Sequence, residues 1–150
     1  MAEFTHFDKS GRARMVDVSE KPATSRAATA RGSILMERET LKLIKEGGIK
    51  KGDVFGVAQV AAVMAAKKTP DLIPMCHPIA ISGVEVAFDC GATEKGRASI
   101  GVNATVRCVG PTGVEMEALT AAAAALLTIY DMCKAVDKAM SITGIELVEK

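Results

Sequence analysis

The sequence of 150 residues predicts a single α+β domain in which helices cover a mostly antiparallel sheet. The main observation is the order of its periodic segments, which runs helix, helix, strand, strand, helix, strand. Apolar residues make up 49% of the chain and charged residues 25%, as in ordinary globular domains. No linker or internal repeat divides the sequence, so we expect one hydrophobic core within residues 1–150.

The N-terminal part predicts an extended arm followed by a strand and a helix. Residues 1–28 are polar and aperiodic, and such a segment is ordered only where something ties it down. We expect a short strand over residues 30–36 and a helix over residues 38–46. The pair Gly47 and Gly48 ends that helix, because glycine is common just beyond a helix C-terminus.

The next segment predicts a second helix that begins at Asp53, whose carboxylate can cap the free amides of residues 54–68. Four apolar residues recur there at helical spacing, which is typical of a core-facing stripe: Val57, Val60, Ala61 and Met64. Residues 69–78, TPDLIPMCHP, contain three prolines and no interior helix or strand signal. They predict an ordered loop.

The C-terminal half predicts a hairpin, a long helix and a last strand. Residues 79–89 and 98–109 alternate in polarity on either side of the turn GATEKG, so they predict two antiparallel strands. An alanine-rich helix is expected over residues 114–140, and its small side chains should allow close packing against a neighbouring helix or sheet. A strand over residues 142–148 closes the chain, and Gly144 marks a turn or bulge in it.

Composition excludes several classes of protein. The net charge of +1 argues against a protein held to nucleic acid or a membrane surface by bulk charge. Aromatic residues are only 3%, so a base-stacking platform is not expected. Four cysteines without a CxxC pair indicate reduced thiols rather than a disulfide framework or a zinc site. The N-terminus lacks an apolar signal segment, and the apolar run 118–130 is shorter than the roughly 20 residues of a membrane span, so we expect a cytoplasmic protein.

The near-neutral total conceals an asymmetry, since residues 1–70 carry a net charge of +5 and residues 71–150 a net charge of −4. One interpretation is that early basic groups bind an anionic ligand while later carboxylates perform proton chemistry. The alternative is solvated surface with chance clustering. Lys51 fits the first interpretation, because it stands just ahead of a predicted helix N-terminus, where free amides favour phosphate. A solvated lysine is the alternative there too.

Two further segments carry candidate site residues. Met75, Cys76 and His77 stand between two prolines that restrict the backbone, so the loop presents His77 rigidly, either to a ligand or as a structural histidine. Glu115 and Glu117 open the long helix, where carboxylates complement the helix dipole without needing any other role.

At the other end of that helix, Asp131 and Lys134 are three residues apart and share a face. They follow the most apolar stretch of the chain, so we expect them to be partly buried and their pKa values perturbed, although a surface ion pair is the alternative. Glu117 and Asp131 are about 21 Å apart along one helix. If both ends are functional, the simplest solution is a symmetric oligomer in which one copy's Glu117 end meets another copy's Asp131 end.

Five ordered segments resemble the cyclic pyranopterin monophosphate synthase family, the molybdenum cofactor biosynthesis protein C. They are MVDVS at 15–19, KGDVF at 51–55, DLIPMCHPI at 71–79, GVEMEALTAA at 113–122 and YDMCKAVDK at 130–138. The resemblance implies a ferredoxin-like α+β fold and a homohexamer, a trimer of dimers with active sites at the dimer interfaces. It also implies a lyase that converts (8S)-3',8-cyclo-7,8-dihydroguanosine 5'-triphosphate to cyclic pyranopterin monophosphate with release of pyrophosphate.

The resemblance also implies roles for ten residues. The catalytic positions match Lys51, Asp131 and Lys134. The substrate-contacting positions match Met75, Cys76, His77, Met116 and Glu117, and further site positions match Glu115 and Arg26. Our hypothesis is that Lys134 and Asp131 transfer protons, Lys51 acts as acid or clamp, Arg26 binds the triphosphate, and His77 with the glutamates contacts the ring. No metal ligand set or cofactor is evident, although Mg²⁺ could accompany the substrate triphosphate.

Two other functions stay open at this point. A non-catalytic nucleotide- or pterin-binding oligomeric protein would use the same charged groups, and substrate turnover separates it from an enzyme. A structural oligomerisation domain would account for the alanine-rich helix alone. Such a domain would show no change in thermal stability on addition of GTP-derived ligands.

Overall fold

The computed structural model describes residues 5–93 and 95–150, which form four strands and three helices. In chain order these are β1 (Thr24–Met36), α1 (Arg38–Lys45), α2 (Val54–Leu72), β2 (Ile81–Ala92), β3 (Ala98–Gly110), α3 (Glu115–Cys133) and β4 (Ser141–Glu149). Residues 1–4 of the predicted arm and Glu94 of the predicted turn lie outside the described residues.

The four strands form one antiparallel sheet in the order β2-β3-β1-β4. This is the ferredoxin-like arrangement, with the first crossover helix divided into α1 and α2. The predicted α+β fold is confirmed. The hairpin of β2 and β3 is confirmed too, and the φ of +65° at Gly144 lies beside a register shift between β1 and β4, as the predicted bulge requires.

The core lies between the sheet and α3, with α2 packed beside α3. Alternate side chains of β1 and β3 are fully buried, and so is an alanine stripe on α3: Ala118, Ala121, Ala122 and Ala125. At Gly32 of β1, an added Cβ would lie 2.7 Å from Cδ1 of Leu126. Helix and sheet therefore approach so closely that any larger residue here would displace the side chains of Leu126 and Ile145.

Neighbouring residues determine where α1 ends and where α2 begins. The amide of Gly47 donates to the carbonyl of Ile44 and that of Gly48 to Leu43, a Schellman motif in which Gly47 has a φ of +70°. Asp53 caps α2 by accepting a hydrogen bond from the amide of Gly56 at 3.1 Å. Both sequence predictions are confirmed.

The structure corrects two predictions for α2. The helix continues through Pro70 to Leu72, so residues 69–72 do not belong to the predicted loop. Its buried stripe consists of Val54, Ala58, Ala62, Ala66 and Thr69, whereas Val57, Val60 and Met64 are exposed. The physical reason is distance, since only small side chains fit where α2 lies against α3.

The ends of β1 and α3 also differ from prediction. β1 begins at Thr24, inside the segment predicted as arm, because its pairing with β3 extends to Gly110. α3 ends at Cys133 rather than Met140. The chain leaves the helix because the buried carboxylate of Asp137 accepts hydrogen bonds from the amide of Glu37 and the hydroxyl of Thr40, both at 2.9 Å.

Among the described helices, α3 alone is long and apolar enough to cross a membrane. Half of its apolar stretch is buried inside the protein. A core helix of a folded domain has the same length and composition, so this helix is accounted for by its packing on the sheet.

Candidate active site

The predicted site residues lie in two groups at opposite ends of α3. The group at the C-terminal end, which we call the lysine-aspartate cluster, consists of Lys51, Asp131 and Lys134. Lys51 Nζ lies 3.0 Å from Oδ2 of Asp131, and Lys134 Nζ lies 2.9 Å from Oδ1. The structure thus brings all three predicted catalytic residues together, with one carboxylate between two ammonium groups.

Lys51 reaches the cluster from the turn that precedes α2. The buried side chain of Ile49 anchors this turn, and Gly52 has a φ of +108°, which allows the chain to turn back towards the Asp53 cap. Lys51 Nζ also donates a hydrogen bond of 3.0 Å to the backbone carbonyl of Asp131, in the last turn of α3. A cation is favourable there because it complements the helix dipole.

The electrostatics of the cluster stabilise the charged forms of Asp131 and Lys134. Hydrogen bonds from Lys134 and Lys51 lower the pKa of Asp131 below its usual value, and the hydrogen bond to Asp131 raises the pKa of Lys134. The side chains of Asp131 and Lys134 are 57% and 56% exposed, so the predicted partial burial is wrong for the single chain. The cluster therefore presents two amine side chains to solvent, an arrangement suited to binding an anion.

The second group lines a cavity of about 250 Å³ at the N-terminal end of α3, which we call the ring pocket. Six predicted substrate-contacting residues meet there: Met75, Cys76, His77, Glu115, Met116 and Glu117. The loop after α2 supplies the first three and the first turn of α3 supplies the others. The two segments are far apart in the sequence, which gave no reason to expect them to line one cavity. Only the family resemblance implied that they do.

The N-terminal arm closes one side of the ring pocket, and sequence reasoning missed its contribution. Val16, Val18 and Lys21 line the cavity, and the carbonyl of Val16 lies within hydrogen-bonding distance of His77 Nε2. If His77 is neutral, this bond puts the proton on Nε2 and leaves Nδ1 as an acceptor. The segment MVDVS carried the signal, since its two valines alternate as in an extended chain that rests on a surface.

Glu117 is the buried charged group of the ring pocket. Its side chain is 2% exposed, and Oε1 has no hydrogen-bond partner within residues 5–93 and 95–150. Burial raises the pKa of this carboxyl, and the nearby Glu115 raises it further. Burial of the thiols of Cys76 and Cys108 raises their pKa values, and an ionised Glu117 raises them further.

Arg26 lies at the rim of this end of the molecule. Its Nε donates to the carbonyl of Gly110 at 3.1 Å and one Nη donates to that of Pro111 at 3.3 Å. The guanidinium therefore supports the turn that leads into α3. It also borders a neighbouring cavity of about 330 Å³ with Glu115 and Lys150, so it remains accessible to an anion.

The two groups are too far apart to share one small ligand within a single chain. Glu117 and Asp131 are 14 positions apart on a continuous α3, which corresponds to about 21 Å. Within the described part of the chain, no three His, Cys, Asp or Glu side chains are close enough to hold a metal ion. The side chains that this surface offers to a ligand are amines, carboxyls and an imidazole.

Comparison with known proteins gives a consistent result over nearly the whole chain. The model of the MoaC family matches residues 15–150. A cyclic pyranopterin monophosphate synthase of Desulfitobacterium hafniense is 57% identical over 148 residues, 99% of this chain and 88% of the relative. Proteins of the same name from a Methylobacterium species and from Thermoanaerobacter pseudethanolicus are 57% and 58% identical, and the matches cover 100% and 97% of this chain and 92% and 90% of those relatives.

Proposed function

The chain belongs to the MoaC family, and from this premise we propose that it catalyses the lyase step its relatives are named for. The substrate is (8S)-3',8-cyclo-7,8-dihydroguanosine 5'-triphosphate, and the products are cyclic pyranopterin monophosphate and pyrophosphate. This reaction belongs to molybdenum cofactor biosynthesis. The relatives match over their length as well as over this chain, so the proposal applies to the whole chain.

The lysine-aspartate cluster is the observation that carries this proposal. Closing a cyclic phosphate requires a ribose-derived hydroxyl to attack the α-phosphorus while the bond to the β-phosphate oxygen breaks and pyrophosphate leaves. Negative charge accumulates on the departing group, and two ammonium groups held by one carboxylate are suited to neutralise it. A non-catalytic binder would not need this arrangement.

The cluster also supports a division of roles between its two lysines. Lys134 carries its proton in the ion pair with Asp131, and in this scheme it acts first as a proton donor to the rearranging ring. Lys51, held by both the side chain and the backbone carbonyl of Asp131, serves as an electrostatic clamp. Arg26 contacts the triphosphate in this scheme.

The ring pocket binds the guanine-derived ring. Met75 and Met116 supply apolar contact to its faces in a chain that contains no tryptophan. His77 and the two glutamates supply hydrogen bonds to its edges. The Val16 carbonyl holds the imidazole of His77 in place, so the arm is part of the binding surface.

We propose that the active site is shared between two copies of the chain within a homohexamer, a trimer of dimers. The support is geometric, since the ring pocket and the cluster lie at opposite ends of α3. Large apolar side chains exposed on α2 and α3 could be covered by another copy: Val57, Val60, Met64 and Leu127. We further propose a cytoplasmic location and no resident cofactor, with any Mg²⁺ arriving on the substrate triphosphate.

Turnover of the cyclised GTP intermediate tests the function. The proposed enzyme releases pyrophosphate and forms the pterin product, whereas a nucleotide- or pterin-binding protein would bind the intermediate and leave it unchanged. A purely structural oligomerisation domain would show neither turnover nor a rise in melting temperature with GTP-derived ligands.

A further inference from the structure

The carboxyl group of Glu117 is buried in the ring pocket without a cation to balance it. It takes part in none of the ion pairs found among the described residues. Its side chain is 2% exposed and its Oε1 is unpartnered in this part of the chain. An isolated carboxylate in such a position is costly, and either a bound proton or a hydrogen-bond donor of a ligand would remove that cost.

The neighbouring charge that acts on Glu117 is the negative charge of Glu115. Glu115 faces it from the same helix end, while the thiols of Cys76 and Cys108 face it from the loop after α2 and from β3. The remaining titratable groups of the pocket are His77 from the loop, with His6 and Lys21 from the arm. Burial and the charge of Glu115 both raise the pKa of Glu117, and only the hydrogen bond from its own backbone amide lowers it.

The protonation state decides which edge of a ring this group can recognise. An ionised carboxylate offers two acceptors and matches an edge with two N–H donors, such as the amino edge of a guanine-type ring. A neutral carboxyl offers one O–H donor beside one C=O acceptor. It matches a lactam edge, where a ring carbonyl stands next to a ring N–H.

We propose that Glu117 binds substrate as a neutral carboxylic acid and recognises the lactam edge of the guanine-derived ring. This inference rests on the proposed function and adds the specific edge and the required proton. The bond from O–H to the ring carbonyl and the bond from the ring N–H to the carboxyl oxygen together satisfy the buried group. Rings that lack the carbonyl would leave a buried donor unpaired and bind poorly.

Three substitutions separate the neutral form from the ionised one. Glu117→Gln keeps one donor and one acceptor in nearly the same shape and should leave KM within about threefold of wild type. Glu117→Ala removes both bonds and should raise KM about 10- to 100-fold. Glu39→Gln is a matched control, because it makes the same change at an exposed glutamate of α1 outside the pocket and should leave KM unchanged. If Gln raised KM as much as Ala does, the ionised carboxylate would be the form required and the inference would be overturned.

The pH dependence gives a second readout. In the wild type, KM should be constant at low pH and rise as pH passes the pKa of Glu117, because the binding-competent proton is lost. This rise in KM should be absent in Glu117→Gln, whereas any other pH effect on KM should remain in both proteins. If KM still rises with pH in Glu117→Gln as it does in the wild type, the proposal is contradicted.

Infrared spectroscopy of the wild-type protein detects a protonated carboxyl group directly. It therefore tests the protonation of Glu117 without depending on activity or on the folding of a variant. The spectrum at neutral pH should contain a protonated-carboxyl C=O band that disappears when the pH is raised. Its absence at neutral pH would overturn the inference. Failure of the wild type to turn over substrate would instead refute the proposed function and, with it, the recognition of the ring edge.

Discussion

Lys51 and Asp131 are 80 positions apart in the sequence, yet Nζ of the first lies 3.0 Å from Oδ2 of the second. This contact ties the turn before α2 to the last turn of α3. Lys134 binds the other oxygen of the same carboxylate at 2.9 Å. Asp131 therefore holds both amines of the proposed catalytic cluster.

Replacing that carboxylate should alter both rate and pH dependence. Asp131→Asn should lower kcat about 100-fold, since the two amines lose their common partner. The pKa of Lys134 is raised by Asp131, so in the variant it should fall and the alkaline limb of the kcat profile should move to lower pH. Steady-state kinetics across pH measure this. A profile with an unshifted alkaline limb would contradict Lys134 as the proton donor.

The proposed clamp role of Lys51 can be tested against its neighbour. Lys51→Ala should reduce kcat by about 100- to 10,000-fold. Lys50→Ala is the matched control, because Lys50 is also exposed and lies in the same turn but takes part in no ion pair found in the described ranges. It should retain activity within about twofold. Equal losses in the two variants would indicate a general effect of the turn's positive charge.

A site shared between chains should allow two inactive variants to restore each other. Lys134→Ala damages the cluster and His77→Ala damages the ring pocket. Co-expressed, they should regain about one quarter of wild-type activity, because half of the dimers are mixed and each mixed dimer has one intact site of two. Activity is measured on the purified mixture. Recovery no greater than the sum of the separate variants would mean that both groups act within one chain.

Asp137 should be a major contributor to stability. Besides the amide of Glu37 and the hydroxyl of Thr40, its carboxylate accepts from the amide of Ala139 at 3.0 Å. Asp137→Ala should lower the free energy of unfolding by about 3 kcal/mol, because buried donors lose a charged acceptor. The exposed Asp71→Ala should change it by less than about 0.5 kcal/mol. Urea denaturation at fixed protein concentration measures both, and similar effects would contradict this account.

Asp137 should also make stability depend on pH. Burial alone would raise its pKa, but the hydrogen bonds from Glu37, Ala139 and Thr40 outweigh burial and lower it below its usual 3.8. The stabilisation is therefore complete above pH 3.8 and is lost as pH falls through the lowered pKa. Thermal melts of wild type should fall more steeply with acidification than those of Asp137→Asn. Parallel curves would show that another group dominates.

The parts of the fold that the sequence predicted have local causes. Gly47 and Gly48 end α1, Asp53 starts α2, and alternation predicts the β2–β3 hairpin, each from a few neighbouring residues. The errors have distant causes. The end of α3 depends on Asp137 meeting Thr40, about a hundred positions away, and the buried face of α2 depends on how closely α3 lies beside it.

The candidate site also combines features that local sequence patterns predict with features that depend on distant contacts. Asp131 and Lys134 could be paired from their helical spacing, whereas the contact of Lys51 with them came only from the family resemblance. Their exposure could not be foreseen, since it depends on how α3 ends. The contact between Val16 and His77 was missed because a backbone carbonyl makes it, and the alternating valines of MVDVS indicate an extended segment without showing which residue it contacts.

The most direct test of the central claim is to incubate the purified chain with the cyclised GTP intermediate and quantify both products. The proposed lyase should release pyrophosphate and form cyclic pyranopterin monophosphate in equal amounts, and Lys51→Ala should slow the formation of both by the same factor. Unchanged intermediate, or pyrophosphate released without the pterin product, would contradict the account.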